Sequence, residues 1–130
     1  MAEVKPEVGA IVWIDLTVEN ADEVREFYQK VVGWDADPVE MGGYNDFNML
    51  IEGTDKPMAG VCNARGKNAD LPPKWLIYIV VADVDASVKQ CIRLGGEVVV
   101  KPAEMGGSKF CVIKDPAGAV AALYQPAPAD

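Results

Sequence analysis

The tetrapeptide EMGG occurs twice, within VEMGGYNDFNML (39–50) and again within AEMGGSKFCVIK (103–114). Each copy stands before a run that reads as a strand, and the two glutamates, Glu40 and Glu104, lie 64 residues apart. If one unit is written twice, the rest of the chain repeats near that offset. It does. GAIVWIDLTV (9–18) alternates, with Val12, Ile14, Leu16 and Val18 on one face and Trp13, Asp15 and Thr17 on the other. KWLIYIVV (74–81) repeats the pattern, with Ile77, Ile79 and Val81 on one face and Leu76, Tyr78 and Val80 on the other.

Both strands run into helix-start signals. In the first copy Asn20 and Glu23 have the spacing of a capping box. Val24, Phe27, Tyr28 and Val31 follow as an apolar stripe facing a core, and Gly33 stops the helix. In the second copy Asp83 is the cap. Val84, Val88, Cys91 and Leu94 make the stripe, and Gly95-Gly96 end it. Three short strands are then predicted in each half. They are WDADPV (34–39), YNDFNMLI (44–51) and PMAGVCNA (57–64), then EVVVKP (97–102), SKFCVIK (108–114) and AVAALYQ (119–125). EMGG falls between the first and second of each set, where paired glycines tolerate the positive φ of a tight connection. Asp115-Pro116-Ala117-Gly118 reads as a type I turn. The breaker-rich GKNADLPPK (66–74) links the halves, so the chain reads as βαβββ–linker–βαβββ.

Composition sets the outer bounds. A chain of 130 residues is about one domain. A net charge of -8 with scattered basic residues speaks against nucleic acid as a partner. No apolar run approaches the roughly 18 residues of a membrane span, and MAEVKPEVG lacks a secretion signal's apolar core. Cys62, Cys91 and Cys111 are an odd set without CxxC spacing, so buried, reduced thiols and a cytoplasmic setting are expected. There is no histidine, which removes the commonest metal ligand and the histidine-assisted nucleophile systems.

On KWLIYIVVADVDASVKQCIRLGGEVVVKP (74–102), GGSKFCVIKDPAGAVAALYQP (106–126) and GAIVWIDLTVENADEVREFYQKVVGW (9–34), the chain resembles the vicinal oxygen chelate superfamily, the glyoxalase/bleomycin-resistance/dioxygenase fold. The resemblance covers nearly the whole chain. It implies an α+β fold in which two tandem βαβββ modules form a cup-shaped, barrel-like mixed sheet with helices outside. One domain spans 1–130, with module one over about 8–65, a linker at 66–73 and module two over about 74–126. A homodimer is implied by the same resemblance.

Metal-dependent members of that superfamily carry ligands at positions matching Trp13, Leu76, Ala122 and either Gly60 or Val61. None of these can bind a divalent metal, so neither a metal nor another cofactor is expected. Strand parity instead supplies an aromatic lining for the implied cup. Trp13 and Asp15 come from the first strand, Tyr78 from the fifth, Phe110 from the seventh, and Ala122 and Tyr124 from the eighth. One of Tyr44, Asp46 and Asn48 contributes from the third. Each has a plainer reading: Trp13 as barrel filling, Asp15 as a salt-bridge partner or solvent-facing charge, Tyr44 and Asp46 as the start of a solvated strand, Tyr78 and Tyr124 as ordinary strand residues. Lys109 reads as a surface charge. Two functions follow. One is metal-independent binding that sequesters a hydrophobic or cationic small molecule, as bleomycin-resistance proteins do. The other is a glyoxalase- or dioxygenase-like lyase or isomerase of unknown substrate, with proton transfer at Asp15, a tyrosine or water. Whether the chain is an enzyme is left open.

Overall fold

The computed structural model describes residues 6–128. Its elements follow the repeated order expected from the sequence. The first set is β1 (Ile11–Val18), α1 (Ala21–Val31), β2 (Asp35–Glu40), β3 (Asn45–Leu50) and β4 (Pro57–Asn63). After a short 3-10 turn at Gly66–Asn68 come β5 (Trp75–Val80), α2 (Val84–Arg93), β6 (Glu97–Met105), β7 (Ser108–Lys114) and β8 (Val120–Gln125). The fold is α+β and the two βαβββ modules are both present. No described helix is long and apolar enough to cross a membrane.

The chain divides into two compact units, one holding Trp13–Trp75 and the other running from Leu76 together with the stretch up to Val12. The division therefore falls inside β1 rather than before it. Backbone hydrogen bonding accounts for this, because Gly9 N–H donates to the Val80 carbonyl at 2.8 Å and Val80 N–H donates to Ala10 at 2.9 Å. Trp75 opens β5 yet groups with the first unit, where its ring packs on Tyr28 and Trp34.

In the first unit the strands run β2-β3-β4-β1, with β3 antiparallel to both neighbours and β1 parallel to β4. Alternation puts Leu16, Val18, Phe47, Met49 and Val61 on one face, where they form a core with Ala21 of α1. Val24, Tyr28, Trp34, Ala36 and Trp75 pack around it. Fully burying a side chain such as Met49 or Val61 contributes about 1.5–3 kcal/mol. In the second unit the order is β5-β8-β7-β6, with β5 parallel to β8 and β7 antiparallel to both its neighbours. Val84, Cys111 and Leu123 form a core there, flanked by Ile79, Val81, Val88 and Ile113.

Two of the strand prolines fit this order, while Pro57 stands at the first residue of the inner strand β4. Pro38 lies in β2 and Pro102 in β6, the terminal strand of each module, and a missing N–H is tolerated at such an edge. β6 also runs three residues beyond the predicted 97–102, with register shifts on both sides of Val100. The bulges let a longer strand keep pairing with β7.

Two helix expectations need correction. Asn20 makes no side-chain cap; its Nδ2 donates to Glu23 Oε1 at 2.8 Å, so the expected box is only a side-chain pair. Asp83, by contrast, caps α2 by accepting from Ala86 N–H at 3.2 Å. Nor do the stripes face the core throughout. Phe27 (55% exposed) and Val31 (64%) lie on the outside of α1, and Leu94 (62%) stands clear at the end of α2. Only the face of α1 over the core packs down, with Ala21 buried and Val24 and Tyr28 partly buried.

The repeated EMGG forms the β2–β3 and β6–β7 turns. In the first, Gly42 (φ 92) and Gly43 (φ 103) turn the chain while both their amides donate to Glu40 Oε1, at 2.8 and 2.9 Å. In the second, Gly106 (φ 57) and Gly107 (φ 91) alone join the paired residues Met105 and Ser108. A two-residue turn with positive φ at both central positions suits glycine, which adopts it without strain.

Candidate ligand-binding face

With α1 packed on the Leu16–Val61 side of the first unit, the alternate residues of each strand lie on its helix-free side. Asp15 pairs with Gly60 and Thr17 with Cys62, while Asn48 opposes Gly60 from β3 and Asp37 opposes Asn48 from β2. The local alternation read in the sequence therefore brings Trp13, Asp15 and Asn48 onto one surface. The indole N–H of Trp13 donates to Asp15 Oδ1, joining two of the expected residues directly.

Gly60 makes that pair possible. Ten of the chain's glycines need positive φ, but Gly60 is not among them. Its role is spatial, because a Cβ there would overlap the Asp15 carboxylate, with the Trp13 indole nitrogen at ordinary contact distance. Beside it, the Cys62 thiol is held well above its ordinary pKa, first by burial and then by the nearby charges of Asp15 and Asp46. Cys62 is thus a neutral, weakly polar patch between two carboxylates.

Asp46 and Tyr44 are committed elsewhere. Asp46 Oδ1 accepts from both the backbone N–H and the Nδ2 of Asn63, each at 2.9 Å. The Tyr44 ring lies under the Arg65 guanidinium, 4.1 Å from its centroid. With Arg65, Asn63 and the first residues of α1, Tyr44 lines an open depression of about 620 Å³. Of the third-strand set, Asn48 is the member directly cross-strand to Gly60, next to the Asp15 carboxylate.

In the second unit, register brings the other expected residues together. Tyr78 opposes Ala122, Ala122 opposes Val112, and Phe110 opposes Tyr124, all on the side away from the Val84–Cys111–Leu123 core. Phe110 and Ala122 are buried, while Tyr78 and Tyr124 are half-buried. A separate depression of about 310 Å³, lined by Val80, Gln125 and Pro126 among others, includes none of the expected residues. Lys109 is held above its ordinary pKa by the Asp85 carboxylate, to which Nζ donates at 2.9 Å.

The residues at the resembling superfamily's ligand positions do not fit a divalent metal. Trp13 offers only an N–H, already given to Asp15; Leu76, Val61 and Ala122 are buried carbon; Gly60 has no side chain. Among the described residues, no three His, Cys, Asp or Glu side chains are grouped to hold a metal ion. The expected lining left out Cys62 and named Gly60 only as one of two positions matching a metal ligand. The parity of PMAGVCNA against WIDLTV carried that signal. The contacts of Arg65 with Tyr44 and of Trp75 with Tyr28 and Trp34 left no local trace.

Comparison with known proteins agrees with this architecture. A model of the glyoxalase-like domain family matches residues 12–124. "Putative glyoxylase CFP32" of Mycobacterium tuberculosis is 29% identical over 130 residues, covering 94% of this chain and 46% of that protein. "Anthracycline biosynthesis protein DnrV" of Streptomyces peucetius is 30% identical over 118 residues, covering 91% of this chain and 42% of that protein. The chain thus spans just under half the length of these curated relatives. Among solved structures, methylmalonyl-CoA epimerase from Mycobacterium tuberculosis superposes with a TM-score of 0.57 at 16% identity, over 97% of this chain and 94% of that one. A hypothetical protein from Bacillus halodurans reaches 0.60 at 11% identity, over 95% and 99%. At such identities the likeness is one of fold.

Proposed function

This chain belongs to the glyoxalase-like domain family, and from that membership we propose that it binds and sequesters an aromatic, positively charged small molecule without a divalent metal. The observation that carries the reading is the Trp13–Asp15 pair on the helix-free side of the first unit. An indole face attracts planar and cationic groups by stacking and cation–π contact, and Asp15 holds its N–H. Support comes from DnrV, whose name ties it to anthracycline biosynthesis; anthracyclines are planar, and many carry a protonated amine. The test is a titration with daunorubicin and a panel of planar cations, followed by tryptophan fluorescence with Trp13→Phe as control. Saturable quenching that disappears in Trp13→Phe is expected. No saturable change with any compound sinks the reading. A homodimer belongs to the same proposal and is checked by analytical ultracentrifugation.

A second reading, a lyase or isomerase, draws on the glyoxylase name of CFP32 and on the placement of Asp15 for proton transfer. Elemental analysis of the purified protein tests the metal-independent reading. Stoichiometric nickel, zinc, iron or manganese favours the enzyme and overturns metal-independent binding.

A further inference from the structure

We propose that Asp15 is a positioning residue, its carboxylate seated on the bare α-carbon of Gly60 to fix the plane of the Trp13 indole as a preset wall for a planar cation; this rests on the binding reading above. Three observations converge. The indole N–H of Trp13 donates to Asp15 Oδ1. The Asp15 carboxylate occupies the space that any side chain at position 60 would need. Asp15 and Gly60 are cross-strand partners in the parallel β1–β4 ladder, so the backbone sets the height of the carboxylate above the sheet.

The chemistry follows from this geometry. A free tryptophan side chain samples several rotamers, and a ligand that stacks on it bears the cost of ordering it. Tying the indole N–H to a carboxylate fixes the ring before the ligand arrives. The same bond leaves the π face as the binding element, because the polar edge is already used. The ligand class is then a flat π system with positive charge, held by stacking and cation–π attraction rather than by a direct ion pair with Asp15.

The roles of geometry and charge separate by substitution. Asp15→Asn keeps an oxygen that can accept from the indole but removes the charge. Asp15→Ala removes the acceptor, and Gly60→Ala displaces it. The first measurement needs no ligand: the Trp13 indole N–H resonance, assigned with Trp13→Phe, and its exchange with solvent. Asp15→Asn is expected to keep slow exchange, whereas Asp15→Ala and Gly60→Ala are expected to lose about tenfold in protection, the scale of one lost hydrogen bond to a charged group. The second measurement is daunorubicin affinity, expected to hold within about threefold in Asp15→Asn and to weaken about tenfold in the other two. Undiminished protection in Asp15→Ala overturns the positioning role. So does an Asp15→Asn variant that binds as weakly as Asp15→Ala, since charge would then be the determinant. If the unaltered protein binds no daunorubicin or other planar cation, the binding reading fails, and indole exchange alone decides the role of Asp15.

Discussion

Asp46 Oδ1 ties β3 to the end of β4 through two hydrogen bonds from the same residue, the backbone N–H and the Nδ2 of Asn63. Asn63 Nδ2 also donates to the Asn45 carbonyl at 2.6 Å. The carboxylate is therefore a brace for the sheet. Asp46→Ala should destabilise the protein by about 1–3 kcal/mol, because a half-buried amide pair loses its charged acceptor. Urea unfolding measures it, and a midpoint equal to that of the unaltered protein would contradict the bracing role.

The aromatic cluster behind the first sheet gives a second expectation. Trp75 Nε1 donates to the Tyr28 hydroxyl at 3.2 Å, and the two rings meet edge to face with centroids 5.3 Å apart. Tyr28→Phe keeps the ring and removes the acceptor, at a cost of about 0.5–1.5 kcal/mol. Tyr28→Ala removes a half-buried ring that packs on Trp34 and Trp75 and should cost about 2–3 kcal/mol, below the range for a fully buried ring. Thermal unfolding of the pair should rank them in that order.

The first EMGG turn carries a pH dependence. The Glu40 carboxyl lies below its ordinary value of 4.5 because the amides of Gly43 and then Gly42 donate to its charged form. Folding therefore lowers its affinity for protons. The stabilisation it supplies is complete above its unfolded value and is lost as pH falls through the lower folded value. Glu40→Gln should flatten the stability profile at pH below about 4.5 while leaving the slope near neutrality unchanged. Since the side chain is exposed, the change will be small, and it is best read by comparing urea midpoints across pH 2–6.

Thiol reactivity should divide the three cysteines. Burial pushes the Cys111 thiol up to about 11, with Cys91 and Asp85 adding to the rise, and burial with two nearby carboxylates lifts Cys62 further. Neither forms thiolate near pH 8, so a disulfide reagent should find Cys91 first. One fast thiol is expected in the native protein and three in denaturant. Cys91→Ser should abolish the fast phase, and a fast phase that survives would contradict the assignment.

How much of this could be read in advance depends on the range of the interactions. The face shared by Trp13 and Asp15, and that shared by Ala122 and Tyr124, follow from alternation, which any strand obeys locally, whereas register adds Tyr78 from β5. The Asp83 cap and the Gly118 turn are equally local; Gly118 N–H donates to the Asp115 carbonyl at 2.9 Å. The expected helix stripes failed at Phe27 and Val31. Helical spacing shows which residues share a face but not how much sheet lies beneath them.

The sequence by itself determined the repeat, the strand parity and the residues that occupy the resembling superfamily's metal positions, because these depend on residue identity and local period. Tertiary structure alone decided that Asp46 braces Asn63, that Tyr44 lies under Arg65, and that Gly60 is bare to admit the Asp15 carboxylate. Those contacts join residues 17, 21 and 45 positions apart, and their partners are chosen by register and by which space is left unfilled. EMGG marks where the chain turns; the empty Cβ position at Gly60 sets where its candidate chemistry sits.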